Sequence, residues 1–301
     1  MKRSFSIFIV LIFISLLSGC LLSKTPSTSD VNMTSGEEKT FSVNVFPSNS
    51  TYTWTLDTSP PSTGGKSYSY TAMPGDHTLT VKAKHICGTD TQTWKITVNG
   101  WDLSTDWSDT FNPNGPWSYN EGPHIPITVH WDDWDTLNSF FADDQPAWSR
   151  AQYPYHEHIP CWFKVGSNPG PTALDIPVGK VGMHSTSWCG GSEVTTEASV
   201  DWTSPITGRI KISGGVWLAM DLGRPQDWTL YFNDVPISGG SLYDSDPYSS
   251  VNPFDFKNGS GGESVLERDV VVGDIITLEL RKAPSAPCGW FSGVNMSIIN
   301  Q

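Results

Sequence analysis

Several things are scarce in this 301-residue chain, and each scarcity closes off a class of protein. Basic side chains are few: 18 Lys and Arg stand against 31 Asp and Glu, a formal charge of −13, so a phosphate backbone repels the chain and nucleic acid is excluded as a partner. Charge of either sign is sparse, at 16% of residues. No stretch sustains a 3.6-residue apolar period, and the long aliphatic segments of α/β enzymes are missing. No apolar run reaches the length needed to span a bilayer as a helix. The chain has no Gly-x-Ser-x-Gly elbow, no helix-borne HExxH, no Cys-x-x-Cys pair and no Gly-rich phosphate loop after a strand. Nucleophilic catalysis therefore has no sequence support. What is abundant is Gly (27), Pro (22) and Trp (14). Many turn residues and few strong helix formers predict an all-β protein.

The N-terminus carries an address. Lys2-Arg3 precede an apolar run over residues 5–17, which ends in Leu17-Ser18-Gly19-Cys20. A charged start, about a dozen apolar residues and small residues before a cut describe a secretory signal. The ending resembles the lipobox of prokaryotic lipoproteins. That resemblance implies residues 1–19 as signal peptide, cleavage before Cys20 and lipidation of Cys20. The expected location is extracytoplasmic, on a membrane through the lipid anchor. Two acyl chains, at ~0.8 kcal/mol per buried CH2, hold durably where one does not. Residues 20–35, polar and rich in Ser and Thr, read as the lipidated Cys and a flexible tether.

From residue 36 to 99 the pattern has period two: Phe41, Val43, Val45; Tyr52, Trp54, Leu56; Leu79, Val81, Ala83; Trp94, Ile96, Val98. Turn-rich clusters separate these runs, so a small Ig-like β-sandwich with Trp54 in its core is expected. Tyr52-Thr53-Trp54, Met73-Pro74-Gly75 and Ile96-Thr97-Val98 resemble, in order, the run of a PKD domain, an Ig-like module of surface proteins that most often acts as a spacer.

Residues 101–301 differ. Val200 and Trp202, Ile210 and Ile212, Leu230 and Phe232, Ile276 with Leu278 and Leu280, and Val294 with Met296 and Ile298 mark inward faces of further strands. Asn233-Asp234 and Gly273-Asp274 are hairpin signals. Asn112-Pro113-Asn114-Gly115-Pro116-Trp117-Ser118-Tyr119, then Val200-Asp201-Trp202-Thr203-Ser204-Pro205, then Gly273-Asp274-Ile275-Ile276 resemble a family of extracellular jelly-roll domains that are carbohydrate-binding-module-like. The resemblance implies a larger jelly-roll β-sandwich and a non-catalytic role in glycan or surface-macromolecule binding.

The stretch 120–190 departs from that family and reads as an aromatic insertion. Trp131 and Trp134 beside Asp132, Asp133 and Asp135 pair indole faces, which stack on sugars, with carboxylates, which accept hydroxyl hydrogen bonds. The same oxygens suit Ca2+, the one cofactor weighed; a solvated loop is the plain alternative. Trp162 and Trp188 flank Cys161 and Cys189 and complete the expected ligand site. Outside the cytoplasm thiols pair, and the four cysteines after Cys20 allow three pairings. Cys161–Cys189 is favoured because both lie in this stretch, with Cys87 and Cys288 left open. On a strand, His156 and His158 would project to one side, a weak metal pair. Asp132-Asp133 and Asp143-Asp144 supply carboxylates for a hydrolase, the enzymatic alternative. A surface scaffold without a small ligand is the structural one.

Overall fold

The computed structural model describes residues 21–34, 37–45, 50–72, 75–86, 88–142, 145–167, 170, 172–186 and 197–301. The chain divides into two compact units, residues 1–99 and 100–301. Strands dominate both, joined by a few 3-10 turns, and no α-helix occurs among the described residues. No helix there is long and apolar enough to cross a membrane.

The first unit contains β1 (Leu21–Thr25), β2 (Asp30–Thr34), β3 (Glu38–Val45), β4 (Thr51–Leu56), β5 (Ser62–Gly64), β6 (Ser67–Thr71), β7 (Gly75–His85) and β8 (Gly88–Asn99). They form two sheets, β1-β3-β6 and β2-β8-β7-β4-β5. Each strand buries alternate residues, as its period-two pattern demands, so Phe41, Trp54, Leu79, Val81, Trp94 and Ile96 fill the space between the sheets. Met73-Pro74 and Cys87 lie outside the described residues.

The expected tether is corrected here. β1 pairs antiparallel with β3, and β2 pairs parallel with β8. Val31 and Met33 alternate with Asp30 and Asn32 and are buried, and Trp94 Nε1 donates to the Pro26 carbonyl at 2.9 Å. Two apolar residues on one face of a five-residue strand are enough to dock it when a ladder partner is present. The segment's polar composition hid them.

The second unit contains β9 (Trp101–Asp102), β10 (Trp117–Glu121), β11 (His130–Trp131), β12 (Ala147–Ser149), β13 (Cys161–Lys164), β14 (Val181–His184), β15 (Ala198–Thr203), β16 (Gly208–Leu218), β17 (Gln226–Phe232), β18 (Val235–Leu242), β19 (Phe254–Asp255), β20 (Glu267–Val270), β21 (Ile275–Lys282) and β22 (Phe291–Asn300). One sheet has the order β10-β15-β21-β17-β18. The other runs β11-β12-β13-β14-β22-β16-β19, with β20 on β16 and β9 on β22. The chain passes repeatedly between the two sheets and every ladder between the named strands is antiparallel, which is a jelly-roll. Val200, Trp202, Ile210, Ile212, Leu230, Leu278, Val294 and Met296 meet between the sheets, as their alternation predicts. The Asn112 side chain accepts from Tyr119 N and donates to the Tyr119 and Ile127 carbonyls, closing the turn before β10.

The stretch 120–190 is not an appended insertion. It completes β10 of the smaller sheet and supplies four strands, β11 to β14, to the larger one. Those strands are apolar on both faces. Trp148, Trp162 and Met183 point into the main core, while Ala147, Cys161 and Phe163 face outward, as do Trp217 of β16 and Phe291 of β22. Glycine makes room on that outer face: a Cβ at Gly293 would lie 2.1 Å from the Trp217 ring. An apolar outer face must be covered. Segments 132–142 and 172–178 do so, burying Trp134, Phe141, Leu174 and Ile176 in a second core.

Candidate functional site

The second core decides the fate of the aromatic cluster. Trp134 is 0% exposed, packed against Phe163 (ring centroids 6.3 Å), Phe291 (6.2 Å), Tyr153 (5.8 Å) and His158 (5.6 Å). Trp162 is also 0% exposed, in the main core beside Tyr119. Asp135 turns inward at 1% exposure, its Oδ2 accepting from the backbone N–H groups of Phe140 and Phe141 at 2.6 and 3.1 Å. Trp131 is half-buried and donates to the Ser149 carbonyl at 2.9 Å. Asp132 and Asp133 are exposed. The expected platform is therefore corrected at Trp134, Trp162 and Asp135, which are buried in two different cores and leave Trp131, Asp132 and Asp133 without them at the surface. Trp188, Cys189, Asp143 and Asp144 lie outside the described residues.

The favoured disulfide is corrected too. Cys161 is a free thiol, buried on the outer face of β13, where desolvation pushes its pKa up. Cys288 is disulfide-bonded, and its partner lies outside the described residues. The strand expected under His156 and His158 is corrected as well. Residues 156–158 make a 3-10 turn, not a strand, so the alternation argument does not apply to them. His158 is buried against Trp134 and Tyr153, hydrogen-bonded to the Tyr155 carbonyl. The His156 side chain lies outside the described residues. No group of three or more His, Cys, Asp or Glu is placed to hold a metal among the described residues.

A different site appears on the outward face of the smaller sheet. Ladder register lines up Asn120, Ser199, Glu279 and Thr229 in one row, and Ser118, Asp201, Thr277 and Tyr231 in the next. Every one is polar, because each alternates with a core residue of its strand. Asn120, Ser199, Asp201 and Thr277 are nonetheless buried. Segment 121–126 folds over them: Gly122, at φ 80°, donates to the Glu197 carbonyl and accepts from Ser199 Oγ.

His124 pins this strap. Its Nδ1 lies 2.7 Å from Asp201 Oδ2 and its Nε2 2.7 Å from Asp234 Oδ1 at the tip of the β17–β18 hairpin. Asp201 also accepts from Asn120 Nδ2 (2.7 Å) and Thr277 Oγ1 (2.6 Å). Burial alone would lower the His124 pKa, but hydrogen bonds to the two aspartates, and their charges, raise it above the ordinary value. Both ring nitrogens then donate, so the ring is a cationic clamp with no lone pair to take a substrate proton.

Beside the strap lies a cleft of about 390 Å3 lined by Pro123, His124, Ser199, Tyr231, Asp234, Thr277 and Glu279. Desolvation, then the charge of Glu197, raises the Glu279 pKa. Desolvation, then the charge of Glu279, raises that of Tyr231, keeping the phenol a donor. The cleft thus combines an aromatic wall, hydroxyls and a carboxyl in a volume within the small-molecule range. The signal was present in the sequence as the complementary half of the alternation: the residues between the core positions of β10, β15, β17 and β21.

No protein-family model matches the chain, and no curated protein matches it by sequence. Among solved structures, the CBM51-2 and INT domains of Clostridium perfringens ZmpB align over 91% of this chain and 47% of theirs, at 10% identity and TM-score 0.26. A carbohydrate-binding module of the β-sandwich superfamily aligns over 91% of this chain and 94% of its own, at 9% identity and TM-score 0.26. A β-glucuronidase of Bacteroides uniformis is covered over 29% of its length, at 10% identity and TM-score 0.25. The chain spans about half of the first of these and under a third of the last. Scores this low carry no argument about ligand or activity, which must come from the site itself.

Proposed function

We propose that the chain is an exported lipoprotein, anchored through Cys20, whose jelly-roll unit binds glycan without catalysis in the cleft beside His124. The observation that carries the binding reading is the pair of polar ladders on the outward face of the smaller sheet, sheltered by a strap and open at Tyr231 and Glu279. Sugar recognition needs a ring to stack on and several hydroxyl partners, and this face supplies both. A non-catalytic role is supported by His124, whose two nitrogens are taken by carboxylates. Membrane attachment rests on the Leu17-Ser18-Gly19-Cys20 ending. The first unit, which resembles a PKD domain, then acts as a spacer, and its first strand starts one residue past Cys20.

A glycan array probed with the full chain, with and without Ca2+, tests the binding reading. Wild type should bind at least one neutral or charged oligosaccharide, and Tyr231→Ala should lose that signal while Trp131→Ala retains it. A blank array with folded protein would leave the scaffold reading in its place. Cys20→Ser should release the protein from membranes; unchanged fractionation would refute the anchor.

A further inference from the structure

The charges of the cleft narrow its ligand. Its lining holds Asp234 and Glu279, backed by Asp201 and by Glu197, whose charge acts on Glu279. The cation in the lining is His124, and it is already shared between Asp201 and Asp234. The nearest guanidinium, Arg281, reaches Glu279 only at 3.9 Å and stands opposite Asp227 across the β17–β21 ladder. The Tyr231 hydroxyl approaches Glu279 at 3.5 Å, the outer limit of a hydrogen bond. Glu279 is only 14% exposed, so it has lost most of its water and gained long contacts in exchange. A carboxylate in that condition, with an aromatic wall beside it, is complementary to a small cation.

Building on the glycan reading of this cleft, we propose that it selects amine-bearing sugars, with the sugar ammonium paired to Glu279 and the ring against Tyr231. An ammonium supplies the charge-assisted donor that Glu279 lacks, and the surrounding carboxylates favour it further. The same field repels uronates and sulfated sugars. An N-acetylated sugar loses the charge and must bury an uncharged amide against a desolvated carboxyl. Selection then comes from the cleft's sign as much as from its shape.

Titration calorimetry on the full chain tests this with three tetrasaccharides: of glucosamine, of N-acetylglucosamine and of galacturonic acid. At about pH 6 the sugar amine is protonated. The glucosamine tetramer should bind about tenfold or more tighter than the N-acetylated one, and the uronate should not bind. Glu279→Gln should erase that preference. Because the comparison among ligands is made on wild type, it does not depend on the variant folding. Equal or tighter binding of the N-acetylated or uronate tetramer would overturn the selection and leave the glycan reading standing. A preference that survives in Glu279→Gln would mean diffuse attraction to an acidic protein and would also overturn it. If none of the three binds and the array is blank, both readings fall.

Discussion

Replacing Trp134 by Ala separates the two places where a ligand was expected and where one is now proposed. Trp134 is fully buried between Phe163, Phe291, Tyr153 and His158 in the core that covers the outer face of the larger sheet. Truncating a buried Trp to Ala costs about 3–5 kcal/mol, from lost transfer energy and the cavity left behind. The second unit has about 200 residues, for which each kcal/mol moves Tm by roughly 2–4 °C. The transition of that unit should therefore fall by roughly 6–20 °C, while that of the first unit stays in place. Trp134→Phe should fall much less than Trp134→Ala. It keeps most of the packing and removes an indole N–H that finds no acceptor among the described residues, a group whose burial costs ~1–3 kcal/mol. Differential scanning calorimetry resolves the two transitions. A Trp134→Ala protein that melts like wild type yet has lost glycan binding would refute the assignment and restore the indole to a ligand surface.

The remaining tests are shorter. The His124 clamp has a raised folded-state pKa, so its stabilisation is fully present below the unfolded value of about 6.5 and lost as pH rises through the folded one. His124→Gln should flatten that alkaline limb of a Tm-against-pH curve, and an unchanged limb would refute the clamp. His184 acts in the opposite sense: burial lowers its pKa to about 3, so the unfolded state takes up a proton between about 6.5 and 3 that the native state refuses, and stability falls with pH across that window. An NMR titration that shows His184 protonating near pH 6 would contradict this. Non-reducing peptide maps should find Cys161 as a thiol and Cys288 in a disulfide. Val31→Asp should unfold the first unit, since Val31 is buried on β2; a tether would tolerate it.

Much of the architecture was legible because half-buried strands write their own inward faces. Val200 with Trp202, and Ile276 with Leu278 and Leu280, sit in the core where alternation placed them. Asn233 and Asp234 both adopt positive φ (47° and 65°), as a two-residue hairpin turn requires. Reading failed where a strand is apolar on both faces. Cys161-Trp162-Phe163 shows no alternation, so its pattern does not tell an indole in the main core from a ligand contact: Trp162 faces the main core, while Cys161 and Phe163 face a second core behind the sheet. It failed again at Val31 and Met33, whose pairing partner β8 lies more than sixty residues on. The cleft was missed for a third reason. Ser199, Asp201, Thr277 and Glu279 are unremarkable one at a time, and only ladder register puts them side by side.

The position of β22 governs how this chain can be made. It is the last strand, residues 291–300, yet it lies in the interior of the larger sheet between β14 and β16, with nine register pairs to β16 alone. Until those final residues arrive, β14 and β16 face each other across a missing strand, with their ladder groups and the apolar residues of both cores open to water. Synthesis therefore cannot seal the jelly-roll progressively from its N-terminal end. Under the export proposed above this is an advantage, since a unit that closes only on β22 stays threadable until that strand has crossed. A product truncated before Phe291 would have no native state to reach, and its exposed edges would mark it for proteolysis.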